Sequence, residues 1–333
     1  MRLRSWGATL VSVAALMVPA GAGVAAAAPN TVPVASRYVD TEIAAGITTF
    51  GAISGIDRIG NAKYVMISTD VGRLGPARFY TTEIGYTRSL GQLGQPRVTG
   101  GGTVLSPLNL PLLPGDAQFE GIRKTADGYV VVSGGAHQFV RQIGPFGTYV
   151  RDLALPKAWR PTKTSGVNGQ RGLTGVAVGP HGQISVITAG GLRQDSANAA
   201  RLLTFGGQEY VYRTDADKVA ADVLAVNDTD FLVLERGKGR VTRIYWTTTK
   251  GATPVGGKAK LAGSDKSMPK TQIFSTAPIP GLVTGNMSSM AWGNWLPDVP
   301  KQNYRARMLY VVTNDMFAGP TRVHALEVRF PRR

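Results

Sequence analysis

The chain has 333 residues and no cysteine, only three histidines, and 21 acidic residues against 37 lysines and arginines. Without cysteine there are no disulfides, no thiol nucleophile and no thiolate-bound zinc. Disulfides mainly rescue domains too small to build a core, and a chain of this length can bury a large one. Its stability must come from packing and backbone hydrogen bonds. Several catalytic signatures are also missing: the G-x-S-x-G nucleophile elbow, the H-E-x-x-H zinc motif, the G-x-x-x-x-G-K-[ST] phosphate loop and EF-hand spacing. No run is apolar for the roughly 20 residues a membrane span needs.

The apolar stretch nearest the start, Ala8 to Val18, follows Arg2 and Arg4 and leads into small residues with an A-x-A pattern at Ala26 to Ala28. That order is the pattern of a secretory leader over residues 1–28, cleaved after Ala28, rather than of a transmembrane anchor. It leaves one domain over residues 29–333, exported and either released or held at the cell envelope.

The formal charge is +16, and losing Arg2 and Arg4 leaves 16 − 2 = +14. Such an excess favours anionic partners: a phosphorylated small molecule, an envelope polymer or an acidic lipid headgroup. Nucleic acid is not expected of an exported chain with no recognisable binding module. Five of the lysines fall in "KGATPVGGKAKLAGSDKSMPK" (250–270), which reads as a solvated, flexible loop.

With 42 glycines, short β-branched and aromatic runs and no long 3.6-residue period, the chain is predicted to be all-β. A unit repeats five times, as a strand of small residues followed by an apolar one. It starts at Ser54 ("SGIDRIGNAKYVMISTD"), Glu120 ("EGIRKTADGYVVVSGG"), Thr174 ("TGVAVGPHGQISVITAGG"), Ala221 ("ADVLAVNDTDFLVLERG") and Ser288 ("SSMAWGNWLPDVPKQNYRARMLYVVTND"). Two further strand-like runs follow each of the earlier pairs, which is the pattern of a β-propeller of five, alternatively six, four-stranded blades. A β-sandwich is the competing arrangement. The last unit has one such run, "TRVHALEVRF" (321–330), so "SRYVDTEIA" (36–44) is the expected fourth strand, closing the ring and removing its exposed edges.

The first unit together with "GPARFYT" (75–81), "FEGIR" (119–123), "LRQD" (192–195), "YVYRTD" (210–215), "DFLVLERG" (230–237), "RIY" (243–245) and "LYVVTNDMF" (309–317) resembles the secreted phytase-like propellers, the family labelled esterase-like activity of phytase. The resemblance implies phosphoric-ester chemistry and a glutamate at the x-E-G position of several blades. Here Glu120 keeps that position, while Thr174 and Ser288 stand where glutamate is usual. A ring of carboxylates would suit Ca²⁺, a hard cation with six to eight oxygen ligands, and losing two of them weakens such a site.

The remaining candidates are Glu120 and Glu235 as catalytic carboxylates, Arg123, Arg236 and His137 as substrate ligands, and Asp70 and Asp315 as metal ligands. Glu235 and Arg236 end an apolar run where other units read "STD", "SGG" and "TND", so they are expected at a common rim. There arginine's fork would hold a phosphate with Glu235 beside it. The competing role is an ion pair between blades. Asp57 and Asp70 also read as turn carboxylates, His181 as an exposed turn residue, His324 as a partly packed strand residue, and Trp292 and Trp295 as packing between blades. Two functions remain open: a phosphoric-ester hydrolase, or a non-catalytic propeller binding an anionic envelope component or an exported protein.

Overall fold

The structure, a computed structural model, describes residues 32–332 apart from Val34, Gln170 and residues 238–240. The expected leader, residues 1–28, lies outside them. Five four-stranded antiparallel sheets are arranged as the blades of a propeller. From the inside outwards, blade 1 is Ile53–Arg58, Lys63–Ser68, Arg78–Glu83 and Arg97–Thr103. Blade 2 is Phe119–Lys124, Tyr129–Ser133, Phe139–Ile143 and Tyr149–Leu153. Blade 3 is Leu173–Val178, Ile184–Gly191, Ala199–Thr204 and Glu209–Arg213, and blade 4 is Lys218–Ala225, Asp230–Gly237, Arg243–Thr248 and Lys270–Ser275. Blade 5 combines Met287–Trp295, Tyr304–Thr313 and Arg322–Pro331 with Ala35–Ile43 from the other end of the chain. The inner strands touch in cyclic order, blade 5 meeting blade 1. A single 3-10 turn, Lys157–Trp159, is the only helix among the described residues, and no helix is long and apolar enough to cross a membrane.

Five of the core clusters lie one at each blade interface, and a small sixth packs Val255 on Ala199 and Val211 of blade 3; the five interfaces explain the continuous apolar second strands. Both faces of such a strand are covered, so alternate residues serve different neighbours. In blade 1, Tyr64 and Met66 pack towards blade 5, while Val65 and Ile67 pack towards blade 2. In blade 4, Leu232 and Leu234 face blade 5, and Phe231 and Val233 face blade 3. Blades 2 and 3 meet through Val130, Val132, Val176 and Val186.

Every inner strand carries a register shift at the same place: between Ile53 and Gly55, Phe119 and Gly121, Leu173 and Gly175, Ala220 and Asp222, and Met287 and Ser289. The bulged residues are Ser54, Glu120, Thr174, Ala221 and Ser288, the five repeat starts read from the sequence. A bulge re-aims its side chain and tightens local twist. Glycine after the bulge allows close approach: a Cβ on Gly55 would lie 2.7 Å from the Ile122 nitrogen, and one on Gly175 2.9 Å from the Asp222 Cα.

The lysine-rich segment departs from the expectation of a flexible loop. Val255 and Met268 are buried, and their backbone nitrogens donate to the carbonyls of Glu209 and Val211 on the outer strand of blade 3. Lys258 pairs with Asp265 at 2.5 Å. Two apolar anchors and strand-like hydrogen bonds outweigh a loop-like composition. His324 is fully buried rather than partly packed. It lies opposite Thr41 of the N-terminal strand, with Nδ1 2.5 Å from Thr41 Oγ1 and Nε2 3.3 Å from the Thr284 carbonyl.

Burial pushes the His324 pKa down from 6.5 to about 4, only partly offset by the Thr284 carbonyl. The folded protein therefore holds this ring neutral while the unfolded chain protonates it. The contribution is complete above about pH 6.5, is lost as the pH falls towards 4, and stays constant below that, on the order of 3 kcal/mol in all. Raised carboxylates act in the opposite sense, so the measurement is a difference. Urea unfolding of wild type and His324→Gln at pH 7 and pH 4.5 should show the wild type losing more stability on acidification. Equal losses would mean that the buried ring does not resist protonation.

Candidate functional site

The bulges lie towards the start of each inner strand, and the strands finish at Arg58, Lys124, Val178, Ala225 and Trp295, so the channel has two mouths with different side chains. At the starting end, three of the five bulge residues are hydroxylic and tie neighbouring blades. Ser54 Oγ donates to the Phe119 carbonyl at 2.6 Å, Thr174 Oγ1 to the Ala220 carbonyl at 3.0 Å, and Ser288 Oγ to the Ile53 carbonyl at 2.8 Å. Thr174 and Ser288 therefore make inter-blade hydrogen bonds at the positions where the resemblance implies glutamate. Glu120 is the one carboxylate in the ring. It accepts a bond from Gln118 Nε2 at 2.6 Å and lies within the field of the Arg236 charge. Burial pushes the Glu120 carboxyl up, against the pull of the Gln118 bond and the Arg236 charge. Burial pushes Arg236 down, and Glu120 opposes it.

Arg236 Nη1 donates to Asn286 Oδ1 at 2.6 Å, and no carboxylate among the described residues lies within ion-pair distance of its guanidinium. It lines a cleft of about 630 Å³ between blades 4 and 5, together with Asn286, Asp315 and Arg322. Asp315 closes one wall, accepting from the Asn286 nitrogen at 3.3 Å and from Thr313 Oγ1 at 3.2 Å, with Arg322 3.9 Å away. The adjoining Met316 and Phe317 both hold left-handed φ values, 51° and 63°. That conformation is costly for residues other than glycine and is kept only where the surroundings impose it.

Glu235 and Arg236 are adjacent in sequence but separate in role, because successive strand residues point to opposite faces. Glu235 is fully buried, accepting from Tyr212 Oη at 2.6 Å, the Asp215 nitrogen at 2.9 Å and Lys270 Nζ at 2.7 Å. Lys270 also reaches Asp215 at 2.7 Å. Glu235 and Lys270 both belong to blade 4, and the Tyr212 hydroxyl of blade 3 and the Asp215 nitrogen of the connecting segment bind the same carboxylate, so Glu235 is committed to the interface of blades 3 and 4 and its ion-pair partner is Lys270 rather than Arg236.

Arg123 is likewise not placed as a substrate ligand. It is 1 % exposed, with Nη2 2.8 Å from Asp222 Oδ2 and 2.9 Å from the Val223 carbonyl, and Nη1 2.5 Å from the Ile56 carbonyl. Asp222 Oδ2 also accepts from Ser289 Oγ and the Met290 nitrogen, both at 2.8 Å. The pair plugs the channel between the two mouths. The sequence did carry a signal for it: Asp222 is the only charged residue to follow a bulge, where three units have glycine.

Asp70 is committed elsewhere. Its two oxygens take the Arg73 and Leu74 nitrogens and Arg78 Nη1, all at 2.8 to 3.0 Å. Burial raises its pKa, but these donors outweigh burial and hold the carboxyl below its usual value. Among the described residues no three His, Asp or Glu side chains are grouped to hold a metal ion, and Asp70 and Asp315 are not brought together as ligands of one. His137 is exposed in the turn after Ser133, whose Oγ donates to the His137 carbonyl at 2.7 Å. His181, also exposed, pairs with Asp228.

A family model described as phytase-like, esterase-like activity of phytase, matches residues 48–315. No curated protein matches the chain. Among solved structures, the PQQ-bound form of aldose sugar dehydrogenase from Streptomyces coelicolor is similar at 11% identity with a TM-score of 0.42, covering 90% of this chain and 100% of that one.

The two neighbouring residues should respond differently to mutation. Glu235→Ala leaves Tyr212 Oη and half of Lys270's pairing unmet in a buried position and should cost about 3 kcal/mol. Arg236→Ala removes one hydrogen bond at the mouth and should cost under about 1 kcal/mol. Thermal and urea unfolding of both variants checks this, and equal losses would place Arg236 in the blade interface as well.

Proposed function

The chain belongs to the phytase-like family described as esterase-like activity of phytase, and from that premise we propose an exported propeller that binds a phosphorylated anion at the Arg236 mouth and hydrolyses its phosphoric ester with Glu120 as the proton-transfer group. The observation that carries this reading is the pair itself. A guanidinium with no carboxylate within ion-pair distance among the described residues lines a cleft of about 630 Å³ and lies within electrostatic reach of the single carboxylate of the bulge ring.

Arg236 offers the two-pronged donor geometry that phosphate accepts, and Asn286 fixes its orientation. Arg322, across the cleft, adds positive charge. A carboxyl raised by burial is protonated at a higher pH than an exposed one and can donate as a general acid. In the proposed step, water oxygen bonds to phosphorus as the ester P–O bond breaks. Glu120 gives its proton to the departing alcohol oxygen, and a proton of the attacking water restores the carboxyl.

A second reading rests on Thr174 and Ser288, whose hydroxyls serve the blade interfaces where the family resemblance implies glutamate. A mouth that keeps Arg236 and loses those carboxylates suits binding of an anionic envelope component or an exported partner without turnover.

The proposal includes closure of the ring by the N-terminal strand, supported by the antiparallel pairing of Ala35–Ile43 with Arg322–Pro331. A chain lacking residues 29–43 should expose that edge, aggregate and melt at a markedly lower temperature. Unchanged melting would show that the strand is dispensable.

Calorimetric titration with inositol hexakisphosphate at low salt tests the site. Arg236→Ala should weaken binding by about 1.5 to 3 kcal/mol, roughly 10- to 100-fold, with the fold intact. Glu120→Gln should keep binding and abolish phosphate release. Binding without release by the wild type would favour the second reading, and no binding at all would refute both.

A further inference from the structure

The opposite mouth of the channel, where the inner strands finish, presents a second group of cations that the reading above does not use. A recess of about 420 Å³ there is lined by Arg58, Lys124 and Arg307, with Asp57, Trp292 and the back of Arg123. Arg123 is neutralised by Asp222 at 2.8 Å. Lys124 Nζ is turned onto the carbonyls of its own hairpin turn, those of Thr125, Ala126 and Gly128. Arg58 and Arg307 differ from both.

Each of these arginines is anchored by Nε alone, Arg58 to the Gly60 carbonyl at 3.0 Å and Arg307 to the Gly293 carbonyl at 3.2 Å. Arg307 also lies over the Trp292 ring at 4.8 Å and the Trp295 ring at 5.5 Å. Anchoring at Nε and on a ring fixes the plane of the guanidinium and leaves the outer nitrogens free. No Nη group of either arginine has a hydrogen-bond or ion-pair partner among the described residues. The two cations sit in each other's field, and burial together with Arg58 holds the Arg307 pKa down at about 10. Like charges crowded into a half-buried recess repel, and an anion between them relieves that repulsion. The one carboxylate in the lining, Asp57, spends Oδ2 on the Lys124 nitrogen at 2.7 Å and does not bridge the arginines.

We propose that this recess is a second anion site, taking a single phosphoryl or sulfuryl group between Arg58 and Arg307, separated from the Arg236 mouth by the Arg123–Asp222 plug. The ligand is a tetrahedral oxyanion, because two preset guanidinium forks offer four outer N–H nitrogens to several oxygens at once. A recess of about 420 Å³ has room for the head of a phosphate monoester. This site stands independently of catalysis at Glu120.

Inorganic phosphate and sulfate are the probes, added at constant ionic strength with chloride as the balance and read as a rise in melting temperature, since a ligand that binds only the folded state stabilises it. Arg58→Gln removes one fork. Arg236→Ala removes the other mouth and serves as the independent control. Each single variant should keep part of the phosphate-dependent rise, and the double variant should lose all of it. Arg58→Lys, which keeps the charge and loses the fork, should bind about tenfold more weakly than wild type, within the range of one charge-assisted hydrogen bond. It also serves if the glutamine variant folds poorly. The proposal is overturned if Arg58→Gln shows the full wild-type rise, if Arg236→Ala alone abolishes it, or if the wild type shows no rise beyond chloride.

Discussion

The Arg123 guanidinium reaches across the channel axis to Asp222, and all five blades meet at this contact. Blade 2 supplies Arg123, and blade 1 accepts its Nη1 at the Ile56 carbonyl. Blade 4 supplies Asp222 and the Val223 carbonyl, and blade 5 donates Ser289 Oγ and the Met290 nitrogen. Blade 3 contributes by omission, since a Cβ on Gly175 would press on the Asp222 Cα at 2.9 Å. Burying two charges is expensive, and the attraction between them repays it only when the remaining donors and acceptors are satisfied. Here Oδ2 accepts three bonds, while Asp222 Oδ1 and Arg123 Nε have no hydrogen-bond partner among the described residues. The pair therefore fixes the register of the ring more than it adds to its stability. A slip of the blade 2 or blade 4 inner strand by one residue would leave a charge buried and alone.

The same constraint gives the channel its two ends. With the axis blocked, the bulge residues face one solvent space and the strand ends face another. The bulges carry hydroxyls that stitch blades 1 to 2, 3 to 4 and 5 to 1. Glu120 and Ala221 interrupt the stitching, and it is beside these two blades that polar groups become available: Glu120 itself, and Arg236 on the second strand of blade 4. The buried ion pairs, Glu235 with Lys270 within blade 4 and Arg201 with Asp195 and Glu209 within blade 3, are placed further out, where they brace their own blades without occupying the mouth.

Much of the fold was legible because the repeat is a physical one. Five bulges need five small or glycine-flanked strand starts, and five second strands buried on both faces need unbroken apolar runs. Ser54, Glu120, Thr174, Ala221 and Ser288 could be aligned before any coordinates for that reason. The segment 250–270 could not be read in this way. Its glycines and lysines describe a loop, and only the docking of Val255 and Met268 against blade 3 makes it part of the structure.

The sequence by itself determined an all-β chain with five repeats, which follow from residue type and local period and need no neighbour in space. That Glu120 keeps a glutamate position where Thr174 and Ser288 do not is what the family resemblance implies. The tertiary structure alone decided which charges are free. Glu235 and Arg236 look like one pair in sequence, yet strand alternation sends Glu235 to Tyr212 and Lys270 and Arg236 to the cleft with Asn286. Arg123, three residues from Glu120, is taken by an aspartate 99 positions away, while Arg58 keeps its outer nitrogens. Whether a charge binds a ligand or a blade depends on partners brought from distant parts of the chain, and only closing the ring supplies them.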